Sequence, residues 1–242
     1  MKTFVRAAIG CVMFVMTMTA FAQATGGEAD ALIKVKAKGI DQAFLLPGAD
    51  FSGYKKVIIA PSEVAFQKNW LRDMNNNAMT LAHRMNDKDA NKIIAAARSG
   101  FDEIWAEAFK KAGYEVTTEP GSDVLKLVPS VFDLYVNAPD VVTAGRSQSY
   151  TVEAGEAALS LDVRDSVSGT LLGRAIDRRT AGTDMGRVQW TTSVSNRADF
   201  GLLFKSWANR AAKGLGELAQ ASPLPQTLQP NQKMPQKEAP KK

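Results

Sequence analysis

The chain has 242 residues, 45% of them hydrophobic, 23% charged and 8% aromatic. That length suits one large domain or two small ones, and the composition excludes collagen-like, coiled-coil, disulfide-stapled and wholly disordered chains. The formal charge of +5 and pI near 9.3 invite a nucleic-acid reading, which fails once the charges are placed. Residues 1–22 carry Lys2 and Arg6 without an acid, and residues 222–242 carry Lys233, Lys237, Lys241 and Lys242 against Glu238. Between them 24 bases meet 24 acids, so the foldable part is neutral and nucleic acid is not expected as a partner.

In chain order, residues 1–22 read as an export signal. Lys2 and Arg6 precede an apolar run from Ala7 to Ala20, and Ala20-Phe21-Ala22 gives the small-x-small pattern of a cleavage site between Ala22 and Gln23. A spanning helix needs about 20 apolar residues; this run is shorter and meets polar Gln23 to Glu28 at once. The mature chain is expected to hold no transmembrane segment. Cys11, the sole cysteine, lies inside the signal. Lipidation there would leave the apolar stretch Val12–Ala22 directly after the anchor, so ordinary cleavage is favoured and the periplasm is the expected destination. The mature chain then has no thiol for disulfides, metal binding or nucleophilic attack.

Residues 23–42 are small or polar and read as a flexible tether. Order is expected from Phe44-Leu45-Leu46-Pro47, followed by a buried strand, Lys56–Ala60, ended by Pro61. The polar segment containing Asn75-Asn76-Asn77, His83-Arg84 and Asn86-Asp87 reads as loop with a short helix at most. From Asp87 to Ala112, Ile94, Ala97, Phe101, Ile104/Trp105, Ala108 and Ala112 recur on one helical face. Asn86 or Asp87 suits the cap, Asp89 the first turn, Lys110 and Lys111 the last, and Gly113 the stop.

Tyr114-Glu115-Val116 restarts a strand, and Val124–Val136 is extended around Pro129, which implies a bulge or a sheet edge. Leu159, Leu161 and Val163 alternate with polar residues, then Asp165-Ser166-Val167-Ser168-Gly169 turns the chain into a return strand, Leu171–Arg178. Val188–Thr191 is one more candidate strand. Asn196–Leu218 carries Phe200, Leu203/Phe204, Trp207, Ala211 and Leu215 at helical spacing, with Asn196 as cap. From Ser222 the chain holds five of its ten prolines and reads as a disordered basic tail. The order β-α-β-β-β-β-α predicts a single two-layer α+β sandwich over residues 43–221, a mostly antiparallel sheet carrying two long helices.

Chemistry is sparse. His83 is the only histidine and has no G-x-S-x-G elbow or second ligand to work with. Gly214-Leu215-Gly216-Glu217-Leu218-Ala219 imitates a nucleotide fingerprint but ends a helix instead of opening one. No metal or cofactor site is expected. Asp162, Asp165 and Asp177 could in principle supply paired carboxylates for a hydrolase. With Arg164, Arg174, Arg178 and Arg179 beside them, they are more simply cross-strand ion pairs. Trp70, Arg146, Tyr150 and Trp190 are interface anchors if exposed, Arg146 and Tyr150 belonging to the long polar loop 137–150.

Several segments together carry a resemblance: Phe44–Ser52, Ala60–Phe66 with Trp70, Ala112–Val116, Asn137–Asp140 and Asp165–Leu172. Over residues 43–218 the chain resembles a bacterial family of exported, lipoprotein-like proteins built on a domain of unknown function. The resemblance brings no catalytic residues, and Gln23 stands where many members have a lipid-anchored cysteine. Export, a neutral thiol-free fold and the lack of a convergent catalytic set point to a non-enzymatic envelope protein, a binding or accessory module whose partner is another envelope protein or a small ligand. The alternatives are an envelope hydrolase using Asp162/Asp165/Asp177, and a tether in which the basic tail makes weak electrostatic contact with an anionic surface.

Overall fold

A computed structural model describes residues 31–78, 81, 84–137, 149–151, 154–182, 189–191 and 193–235. Their order is β1 (Ile33–Val35), β2 (Gln42–Leu45), β3 (Lys56–Ile59), β4 (Glu63–Phe66), α1 (Trp70–Asn76), α2 (Asp87–Lys111), β5 (Glu115–Val116), β6 (Val124–Val136), β7 (Ser149–Thr151), β8 (Gly155–Asp165), β9 (Leu171–Ala181), β10 (Gln189–Thr191) and α3 (Ser193–Ala221). The fold is α+β, with an open, mixed, mostly antiparallel sheet of eight strands.

The α2 helix starts as its sequence dictates. Asn86 accepts from the Asp89 amide at 3.1 Å while its own amide donates to Asp89 at 3.3 Å, a closed capping box. At the other end Gly113 takes φ +92°, a conformation that costs other residues energy. Between these stops Phe101, Trp105, Ala108 and Phe109 are buried on one face. Phe101 meets Phe204 of α3 edge-on at 5.2 Å, and Phe200, Leu203, Trp207 and Leu215 continue that buried stripe. A large side chain buried this fully is worth about 1.5–3 kcal/mol.

Both stripes rest on one face of the sheet. The strands run β1-β2-β9-β8-β6-β3-β5, and β4 pairs with β6 beyond the end of β3. From β1 through β6 the neighbours are antiparallel, whereas β3 and β4 lie parallel to β6, and β5 parallel to β3. Leu125, Leu127 and Val131 of β6 register with Asp165, Val163 and Leu159 of β8. Leu127, Val131, Leu159 and Val163 join the core beneath the helices. Their strand neighbours Val128, Ser130, Ser160 and Asp162 occupy the opposite face. Among the described residues no helix covers that second face, which makes the sandwich two-layered. No described helix is long and apolar enough to cross a membrane.

Four expectations need correction. Pro129 marks neither a sheet edge nor a bulge: it lies in a central strand, between Leu127, the last residue paired with β3, and Ser130, the first paired with β4. Its missing donor falls opposite the break where the parallel neighbour changes strand. The first residue of α3 is Ser193, so Asn196 lies inside the helix and is not its cap. The expected tether already contains β1 and the start of β2, because Leu32 and Val35 give this polar stretch enough apolar surface to dock.

The largest correction concerns the tail. Residues 222–235 fold back as a strap, with Leu224 and Leu228 buried. The Leu224 amide donates to the Ala49 carbonyl at 2.9 Å and the Gly48 amide to that of Pro225 at 3.0 Å. Further on, Asn231, Lys36 and Met234 amides donate to Lys34, Gln232 and Lys36 carbonyls, forming a short parallel bridge along the free edge of β1. Proline-rich composition hid two leucines that reach the core and a backbone that serves as an edge cover.

Candidate functional site

The three carboxylates of the hydrolase reading are held apart. In the β8–β9 register Asp162 lies opposite Arg174, and Asp177 opposite Leu159. Strand alternation therefore puts Asp162 on the uncovered face and Asp177 on the helix face. Asp162 accepts from Arg174 at 2.5 and 2.8 Å and from Arg164 at 3.3 Å. Asp177 has a side chain only 3% exposed. It accepts from the Asp41 amide at 3.0 Å, from two Arg179 nitrogens at 2.9 Å and from the Trp207 indole at 2.9 Å. That set fills the oxygens of a buried charge and fastens α3 and the β1–β2 loop to β9.

Asp165 serves the hairpin. Its carboxylate accepts from the Ser168 and Val167 amides at 2.6 and 3.1 Å and from the Tyr54 hydroxyl at 2.8 Å. The Ser168 amide, more than any other contact, holds its pKa below the usual carboxylate value. Burial, and then the bond to Asp165, pushes the Tyr54 phenol up to about 12. Each of the three acids is thus committed to a different structural task, and no two share a cleft.

The expected anchors fare differently. Trp70 is 1% exposed, stacks on Phe66 at 3.8 Å and donates its indole N–H to the Val136 carbonyl at 3.2 Å. It is a core residue, and its positive-φ predecessor Asn69 turns the chain so that it points inward. Tyr150 and Trp190 are register partners in the separate β7–β10 ribbon. Arg146 and His83 lie outside the described residues, and no group of acids, histidines or cysteines among those described could hold a metal ion.

Two concavities among the described residues are built on α3. A pocket of about 70 Å³ lies between α3, β2 and β9, with Ala43, Phe51, Leu161, Leu215 and Met234 of the strap around it. The larger, a groove of about 510 Å³, runs between the C-terminal halves of α2 and α3 and reaches Tyr54 and Tyr114. Its floor is Ala108, Ala112, Ala212, Gly216 and Ala219; Lys55, Lys111, Lys213 and Asn209 stand around it. Burial raises the pKa of the Tyr114 phenol. The signal for this groove was present in the sequence as small residues spaced three or four apart on two helices. Gly216, read there only as part of a false nucleotide motif, opens its floor.

The model of the family described as "Protein of unknown function (DUF3313)" matches residues 27–211. The chain belongs to this family. The match spans the sheet and most of both long helices, and the DUF3313 assignment bears out the unknown-function domain expected from the sequence. The end of α3 and the strap lie beyond it. No curated protein matches the chain. Among solved structures it is similar to a PelC dodecamer from Paraburkholderia phytofirmans, at 12% identity and TM-score 0.36, over 72% of this chain and 97% of that one. It is also similar to protein XCC0632 from Xanthomonas campestris, of family DUF330, at 12% identity and TM-score 0.35, over 74% and 87%. A third similar structure is a neuraminyllactose-binding hemagglutinin homolog from Helicobacter pylori, at 12% identity and TM-score 0.31, over 70% and 86%.

Proposed function

We propose that this DUF3313 protein is an exported, non-catalytic binding or accessory module of the bacterial cell envelope. The observation that carries the reading is the separation of Asp162, Asp165 and Asp177 onto two sheet faces and a turn. The groove between α2 and α3, by contrast, presents lysines, tyrosines and an amide on an alanine floor, with no carboxylate in its lining. Such a lining suits a ligand and holds none of the paired carboxylates that the hydrolase reading needs. Export rests on Lys2, Arg6, the apolar run to Ala20 and the small-x-small site ending at Ala22. Fractionation of cells making the full chain tests the reading. The expected result is release with the periplasmic contents and a mature N-terminus at Gln23. Recovery in the cytoplasm with residues 1–22 intact overturns it.

A further inference from the structure

We infer that the groove between α2 and α3 binds a small organic anion with an apolar body, a carboxylate or phosphate ester in chemical class. This rests on the binding-module reading and gives it a ligand. The volume of about 510 Å³ lies within the roughly 300–1,000 Å³ of small-molecule sites. The floor is alanine and glycine, and a methyl group placed on Gly216 would meet nothing within 4 Å, so the space above it is open.

The charges in the lining have one sign. Lys55, Lys111 and Lys213 reach the groove and no aspartate or glutamate does. Glu107 and Glu217 pair with Lys111 and Lys213 along their own helices, through contacts with well-exposed lysines that are individually weak. The Lys55 ammonium has no carboxylate partner among the described residues and reaches only the Ser52 carbonyl, at 3.5 Å. Near the end of α2 the Ala108, Phe109 and Lys110 carbonyls accept from the amides of Ala112, Tyr114 and Gly113.

Neutral polar groups complete the site. The Tyr114 hydroxyl and the Asn209 amide have no hydrogen-bond partner among the described residues, and both face the groove. The anionic head would sit among the ammonium groups and these two donors. The apolar body would lie on the alanines and against the tyrosine rings.

Isothermal titration of the purified full-length protein with octyl phosphate, octanoate and neutral octanol tests the assignment. Saturable one-to-one binding of at least one of the two anions is expected, with octanol weaker by at least about tenfold. Charge removal in the double variant Lys55→Gln/Lys213→Gln should weaken the anion by a similar factor. Gly216→Leu, which fills the open space above the floor and keeps all three lysines, should abolish binding while leaving the circular dichroism unchanged. Equal affinity for octanol, full binding by Gly216→Leu, or no binding of either anion overturns the assignment. None of these outcomes alters where the protein fractionates, so the groove and the envelope reading fail separately.

Discussion

Replacing Leu224 by Ala separates a structural strap from a solvated tail. Leu224 is 2% exposed and Leu228 4% exposed, and the Leu224 amide is fixed to the Ala49 carbonyl at 2.9 Å. Truncating a leucine buried to this degree removes three carbons from the core and leaves a void, at a typical cost of about 2–5 kcal/mol. Taking about 3 kcal/mol, and roughly 2–4 °C per kcal/mol for a domain near 200 residues, the melting temperature should fall by about 6–12 °C. Leu228→Ala should act alike. Thr227→Ala, exposed between them, should stay within about 0.5 kcal/mol of the parent. Thermal unfolding followed by circular dichroism reads all three. A fall of less than about 1 °C in both leucine variants would refute the strap and restore the tail.

Three further outcomes follow from local geometry. A side chain at Gly155, whose φ is +149°, would place its first carbon 1.9 Å from the Tyr135 carbonyl oxygen. Gly155→Ala should therefore cost more than about 2 kcal/mol by forcing β6 and β8 apart, read by urea denaturation. Asp177→Ala leaves Arg179 and the Trp207 indole without their buried acceptor and should cost about 3–5 kcal/mol, whereas Asp162→Ala, on the uncovered face, should cost less. The Tyr54 phenol, held up to about 12, stays protonated in the folded protein after it ionises near 10 in the unfolded chain. Stability should be at its full value below pH 10 and decline from there to pH 12, and Tyr54→Phe should flatten that decline. An identical alkaline decline in Tyr54→Phe would contradict this.

What the sequence made legible was local and periodic. Asn86, Asp89, Lys110, Lys111 and Gly113 enclose α2 because caps act through neighbours three or four residues away. The alternation Leu159-Leu161-Val163 and the turn Asp165–Gly169 placed the β8–β9 hairpin for the same reason. What stayed hidden depends on contacts far apart in the chain. The strap reaches Ala49 and Lys36 from nearly two hundred residues away, and no local pattern reports a proline-rich segment covering a sheet edge. Pro129 looked like an edge residue because the break between β3 and β4 opposite it is visible only once the strands are paired. Trp70 looked like an anchor because its polar neighbours Asn69 and Arg72 conceal that α1 turns the indole into the core. Asp177 read as one charge among many, although Trp207, thirty residues on, decides its role.

The basic charge narrows accordingly. Lys233 belongs to the strap, so the tether alternative depends on residues 236–242, which hold Lys237, Lys241 and Lys242 against Glu238. Deleting residues 222–242 would remove Leu224 and Leu228 with them and unsettle the core. Deleting residues 236–242 is the clean test: release from an envelope pellet at low salt would support the tether, and unchanged pelleting would end it.

The central claim, that this DUF3313 protein works by binding at the α2–α3 groove, is tested most directly inside the cell. A photoreactive side chain is placed at Asn209 in the groove or, as a control, at Val167 on the hairpin tip, 67% exposed and distant in the chain. After illumination of intact cells, the mass of the recovered protein reads any adduct. The account expects a discrete adduct from position 209 and none from position 167. Adducts of equal mass and yield from both positions, or from position 167 alone, would contradict it.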